Sequence, residues 1–173
     1  MLKTLLTFCF FITAYLLSAQ AEYQILNDPG HPEAKILRGT INKYLVQNDS
    51  SYKWYAPSQQ SYKPDTAILN ALEKVKALNM QLVVFGGTWC EDTQIILPKF
   101  FKLQEMSGVP DDNITFFGVN RSKVSLGHIA EAFGIINVPT IIVMKAGKEL
   151  GRVVEYGTTG KWDKELAEII SKN

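Results

Sequence analysis

Cysteine is nearly absent from this chain. Two occur in 173 residues, Cys9 and Cys90, and Cys9 lies inside an apolar leader. Without that leader Cys90 stands alone, so no intramolecular disulfide can staple the fold. Histidine is equally scarce. His31 and His128 lie far apart, and no Cys, His, Asp or Glu spacing suits a metal, so neither a metal nor another cofactor is expected. An excess of one charge sign is also missing. The 18 Lys and Arg include only Lys3 in the leader, leaving 17 basic residues against 17 acidic ones. That balance excludes the electrostatic footprint of a nucleic-acid or anionic-membrane binder. Gly86-Gly87 makes neither a dinucleotide nor a P-loop pattern and reads as room for a tight turn. No repeat or low-complexity tract occurs.

The amino terminus has the grammar of a secretory signal peptide over residues 1–21. Lys3 opens it, Leu5 to Leu17 form a 13-residue mostly apolar core, and Ala19-Gln20-Ala21 offers small residues for cleavage. The core is short of the roughly 20 residues that a membrane span needs. The expectation is an exported protein, periplasmic or secreted, with no span after cleavage. The mature chain, residues 22–173, has the length of one domain with a substantial core.

Two sections differ in pattern. In residues 22–80, the turn formers from Asn27 to Pro32 predict a loop, Lys35 to Ile41 a strand and Asn42 to Val46 a brief helix. Ser50 to Gln60, with Tyr52, Trp54 and Tyr55, reads as irregular or weakly helical, its aromatics packing the segment onto the domain. Ile68, Leu69, Leu72 and Val75 predict a helix capped by Asp65 and running to Leu78. In residues 81–173, Leu82-Val83-Val84-Phe85 is a buried strand and Glu91 to Met106 a helix. A strand over Ile114–Val119 and a helix over Leu126–Phe133 follow. Strands over Thr140–Met144 and Leu150–Glu155 then flank a turn, and Trp162, Leu166, Ile169 and Ile170 mark a last helix. Such alternation predicts an α/β fold, with a central mixed sheet flanked by helices and an amino-terminal extension.

Cys90 falls between a strand and a helix. Unpaired amides and the positive end of the helix dipole favour a thiolate there, while Glu91 and Asp92 oppose it. Thr93, three residues on, is expected to bring its hydroxyl back to the sulfur on the same helix face and donate to it. A hydroxyl cannot displace a mixed disulfide. The site therefore attacks a disulfide but needs an external thiol for release. His128 reads as a helix surface residue rather than a base, and Arg121 and Lys123 as a solvated loop.

The stretch "LVVFGGTWCEDT" resembles the strand, turn and helix of the thioredoxin superfamily, whose active site reads Trp-Cys-x-x-Cys. Pro98 matches the family's helix-kinking proline, and "NVPTIIVMKAGKELGRVVEYG" is similar to its cis-proline segment and final hairpin. The resemblance spans about Leu82 to Ile170. It implies a thioredoxin-like fold, a cis Val138-Pro139 peptide lying against Cys90, and pairing of that segment with an extended substrate. Within the superfamily, "KWYAPSQQSYKPD" and "GVNRSK" resemble exported single-cysteine members with a Trp-Cys-x-Asp-Ser/Thr site. The second family cysteine is Thr93 here, and the family's buried aspartate aligns with Val84, so both losses strike resolution rather than attack. Thr88 stands two residues before Cys90, unlike the Thr-x-x-Cys of a peroxide site.

The expected function is monothiol thiol–disulfide exchange. Cys90 and Thr93 would do the chemistry, and Trp89, Val138, Pro139 and Thr140 would bind substrate. Disulfide-bearing proteins and an external thiol or reductase would be the partners of an expected monomer. The alternative is a non-catalytic module of the same fold that binds extended peptides or partner proteins.

Overall fold

A computed structural model describes residues 22–173; the signal-peptide reading of residues 1–21 lies outside them. Strands β1 (Tyr23–Asp28) and β2 (His31–Ile41) lead into short helices α1 (Lys43–Gln47) and α2 (Tyr55–Gln60), then helix α3 (Thr66–Ala77). Strand β3 (Met80–Gly86) feeds helix α4 (Glu91–Met106), followed by β4 (Ile114–Gly118) and α5 (Ile129–Ala132). Strands β5 (Thr140–Lys145) and β6 (Lys148–Val154) precede helix α6 (Trp162–Ser171). No helix among the described residues is long and apolar enough to cross a membrane.

The six strands form one sheet in the order β1-β2-β4-β3-β5-β6. Only β3 and β4 are parallel, so the sheet is mixed. Alternation along β3 explains its uninterrupted apolar run. Leu82 and Val84 join the larger core with α3, α4 and α6. Val83 and Phe85 point the other way, into a smaller core with Ala130, Ile135 and Val138. Both faces of this central strand are therefore dry, and its carboxyl end delivers the turn that carries Cys90.

Local chemistry sets the helix starts. The Asn42 side chain accepts from Leu45 N–H at the entry to α1. Asp65 caps α3 by accepting from Ala67 N–H at 2.9 Å, an interaction whose loss costs about 1 kcal/mol. Within α4, Pro98 lacks the N–H that would reach back one turn.

Two expectations need correction. The loop foreseen over Asn27–Pro32 is a hairpin turn of Pro29 and Gly30 between paired strands, with a register shift at Asn27/Asp28. Turn-forming residues remain in strands here because pairing supplies hydrogen bonds and the buried Asp28 carboxylate accepts from Gly30 N–H at 3.0 Å. Of the two readings of Ser50–Gln60, the helical one holds for Tyr55–Gln60. The helix foreseen over Leu126–Phe133 is broken: Gly127 and His128 are left-handed, and regular α-helix begins only at Ile129.

The amino-terminal segment shares the main core. Leu37, Ile41, Val46, Tyr52 and Tyr55 belong to the same buried cluster as Leu82, Phe100 and Leu166. Tyr52 and Tyr55 are 5% and 2% exposed, and their rings lie 5.8 and 6.1 Å from that of Trp54. These aromatics serve packing.

Candidate active site

The turn after β3 is held on three sides. Cys90 N–H donates to Gly87 O at 2.9 Å, closing a tight turn. Thr88 is buried, and its hydroxyl donates to Lys35 O on β2 at 2.8 Å. Gln94, one turn into α4, donates through Nε2 to Thr88 O at 2.9 Å. Thr88 is therefore a strut between the turn and the amino-terminal hairpin, a role that only the β2 contact reveals.

Gly86 and Gly87 are needed for space. Neither has a left-handed φ. A Cβ on Gly87 would sit 2.7 Å from the Trp89 indole, and one on Gly86 would press on the Thr93 methyl at 3.1 Å. The pair thus gives room at the tight turn that Gly87 opens, the room being taken by neighbouring side chains rather than by a left-handed backbone.

Cys90 is the N-cap of α4, with extended backbone torsions of φ −93° and ψ 124°. It is a free cysteine of intermediate exposure. Its thiol donates to Val138 O, with Sγ and oxygen 3.1 Å apart, and the Val138-Pro139 peptide is cis. The sulfur therefore lies at the helix entrance and directly against the cis-proline segment. Glu91 and Asp92 occupy the first helical turn.

Thr93 is placed otherwise than expected. It is fully buried, its hydroxyl accepts from Gly87 N–H at 3.3 Å, and no hydrogen bond joins it to Cys90. The i, i+3 spacing brings two helical side chains to one face, but it does not decide which partner a hydroxyl takes. Here Cys90 is the cap and each group is already engaged elsewhere, the Thr93 hydroxyl with Gly87 N–H and the Cys90 thiol with Val138 O. Thr93 braces the turn and gives nothing to the sulfur.

Val138 is 2% exposed, and Pro139 is buried as well. Pro139 O accepts from Glu155 N–H at 2.7 Å, which ties the cis segment to the end of β6. Thr140 is also buried, and its hydroxyl donates to Asn137 O at 2.7 Å; that side chain is committed to the loop. Val138 N–H has no acceptor among the described residues. Tyr156, next along from Glu155, was given no role by its sequence context, yet it lies beside Asp92, Cys90 and Glu91. Burial, with the neighbouring Asp92 carboxylate, pushes its phenol up and keeps it an O–H donor.

Trp89 lies on the opposite side of the turn from the cis-proline. Its Nε1–H donates to Val119 O, just past β4, at 3.0 Å. The Arg121 guanidinium sits 5.2 Å and the Lys123 ammonium 5.9 Å from its ring centroid. Arg121 also makes a forked pair with Asp28, at 2.8 and 2.7 Å. Arg121 and Lys123 do lie in a turn after β4, and the Arg121 side chain is 45% exposed; what the solvated-loop reading leaves out is that the Asp28 carboxylate, remote in sequence, recruits Arg121. That guanidinium holds the Asp28 carboxyl below the usual carboxylate range. A groove of about 330 Å³ beside this indole is lined by His31, Lys35, Tyr52, Trp54 and Gln94. His128, by contrast, is 89% exposed with Glu131 at 3.5 Å.

The thioredoxin family model matches residues 67–172. Thioredoxin of Staphylococcus saprophyticus is 31% identical over 96 residues, covering 54% of this chain and 82% of that protein. A thioredoxin-like protein of Acanthamoeba polyphaga mimivirus is 26% identical over 103 residues, covering 53% of this chain and 72% of its own. Among solved structures, a Pseudomonas aeruginosa protein of unknown function superposes with a TM-score of 0.52 at 22% identity, over 73% of this chain and 89% of that one. That likeness speaks for the α/β fold alone. Thiol–disulfide redox chemistry is the general function that the family match supports, and the chain belongs to the thioredoxin family.

Proposed function

We propose that this protein carries out monothiol thiol–disulfide exchange through Cys90 on extended, disulfide-bearing chains. The observation that carries the reading is the 3.1 Å contact between Cys90 Sγ and Val138 O at a helix entrance. The thiol first loses its proton to solvent, and the resulting anion faces the first amides of α4. It attacks one sulfur of the substrate disulfide. The substrate S–S bond breaks, a Cys90–substrate disulfide forms, and the other substrate sulfur leaves as a thiolate that takes up a proton. A thiol from outside the chain, either a small thiol or a reductase, then attacks the mixed disulfide and frees Cys90. Val138 N–H is the group available to pair with an extended substrate. Thr93 serves by shaping the turn.

Incubation with a small symmetric disulfide should add one half-molecule per chain by mass spectrometry, reversed by added thiol. Cys90→Ser should add none. An adduct-free wild type would remove the exchange reading. Export belongs to the same proposal. Expression in a secreting host should yield a mature chain whose first residue is Glu22; a retained Met1 after secretion would contradict it.

One observation favours the alternative of a peptide-binding module. The residue in place of the family's second cysteine, Thr93, spends its hydroxyl on Gly87 N–H and gives the sulfur no resolving partner. The wild type beside Cys90→Ser separates the two readings: a binding module shows no exchange in either and keeps its affinity for extended peptides, whereas the exchange enzyme is active as wild type and loses that activity with the thiol.

A further inference from the structure

The sheet order places β4 and β5 on opposite sides of β3. The turn leaving β3 sends Trp89 towards the β4 end, where Val119 O holds it, and the Cys90 sulfur towards the segment before β5. Adjacent side chains are thereby drawn apart. One of them is fastened twice, by a hydrogen bond on the indole edge and by the Arg121 guanidinium over its ring.

Arg121 is not free to choose that place. Asp28 takes both its Nε and a terminal nitrogen, and the Asp28 side chain is itself only 1% exposed. Asp28 sits at the end of β1, fixed through its backbone register and through Gly30 N–H. A forked carboxylate–guanidinium pair fixes the plane as well as the position of the guanidinium. The chain of contact therefore runs from the amino-terminal hairpin through Arg121 to the residue preceding Cys90. Residues 22–66 lie outside the family match, so this brace is an addition by the extension.

We propose that Arg121 is a positioning residue for Cys90, acting through Trp89 and anchored by Asp28, which keeps the indole clear of the path by which bulky substrates approach the sulfur. This deepens the exchange reading above and rests on it for its functional meaning. Its physical content is separately measurable, because alkylation of Cys90 needs no disulfide exchange. Released from Arg121, the indole samples positions over the sulfur, and large reagents are hindered more than small ones.

The test compares alkylation of Cys90 in the native protein by iodoacetamide and by a pyrene maleimide. Arg121→Gln should lower the ratio of bulky to small rate about threefold, the population change that one cation–π contact of ordinary strength sustains. Arg121→Lys, which keeps a cation but not the fork, should recover part of it. Arg121→Gln combined with Asp28→Asn leaves no buried charge unpaired and covers the case in which the single variant fails to fold. Gly87→Ala displaces the indole directly and should lower the ratio with Arg121 intact. A general loss of stability moves unfolding midpoints and both rates together, not their ratio. A wild-type ratio in the folded Arg121 variants overturns the proposal. A lowered ratio in a protein that forms no mixed disulfide leaves the brace standing and removes the exchange reaction.

Discussion

Thr93→Cys should convert a site that needs an outside thiol into one that releases its own adduct. A thiol at position 93 lies one turn into α4 on the helix that Cys90 caps, so its effective concentration is on the order of millimolar or more. Unlike threonine, cysteine has one γ atom and can take the rotamer directed at the cap. The expected result is a second-step rate that no longer depends on added thiol. A disulfide between Cys90 and the introduced thiol should also be visible as the loss of two hydrogens by mass. The substitution weakens the bond from Gly87 N–H, which now ends on the Thr93 hydroxyl at 3.3 Å; that loss costs about 1 kcal/mol. Resolution should remain slow, since fully buried Val84 stands where the family's proton-handling aspartate would be. A variant that accumulates adduct as persistently as wild type would show that the side chain at this position cannot be turned towards the cap.

The second large effect concerns the extension. A fragment cut to residues 67–173 retains the whole of the family match and should nonetheless fail to fold. It loses β1 and β2, and with them the pairing of Gly39–Ile41 with Phe116–Gly118. The outer edge of β4 would be left open, an invitation to aggregation. The fragment also loses Leu37, Ile41, Val46, Tyr52 and Tyr55 from the main core. Burial of five such side chains, at about 1.5–3 kcal/mol each, is comparable with the ~5–15 kcal/mol margin of a typical domain. Thermal or denaturant unfolding of the fragment should show no cooperative transition, and Cys90 should alkylate as in a denatured chain. A sharp transition would mean that the extension is an accessory to an already complete core.

The sequence was most legible where the period of its apolar residues was long and unbroken. The bounds of α4 and the capping of α3 by Asp65 followed from helical spacing and capping chemistry alone. The strands around Val84 and Ile142 followed from runs that both faces of a central strand must bury. The placement of the Cys90 sulfur against Val138 was implied by the family resemblance, and the structure gives it a distance. The hairpin was hidden because Asn27 to Pro32 has the composition of a loop, and only pairing along β1, β2 and β4 overrides that tendency.

Chain order by itself determined that one thiol stands at a helix entrance in residues 22–173, that a hydroxyl replaces its usual companion, and that no second thiol accompanies it. Those are matters of covalent sequence and local periodicity. Only the tertiary structure decided which groups the site can use. It turned Thr93 inward, committed Thr88 to β2 and fixed Arg121 beside Trp89 through a carboxylate 93 positions away. The reason is that each of these polar groups had several hydrogen-bonding mates open to it. Burial, by removing water as an alternative, left each with the one that the packing of distant strands brought within reach.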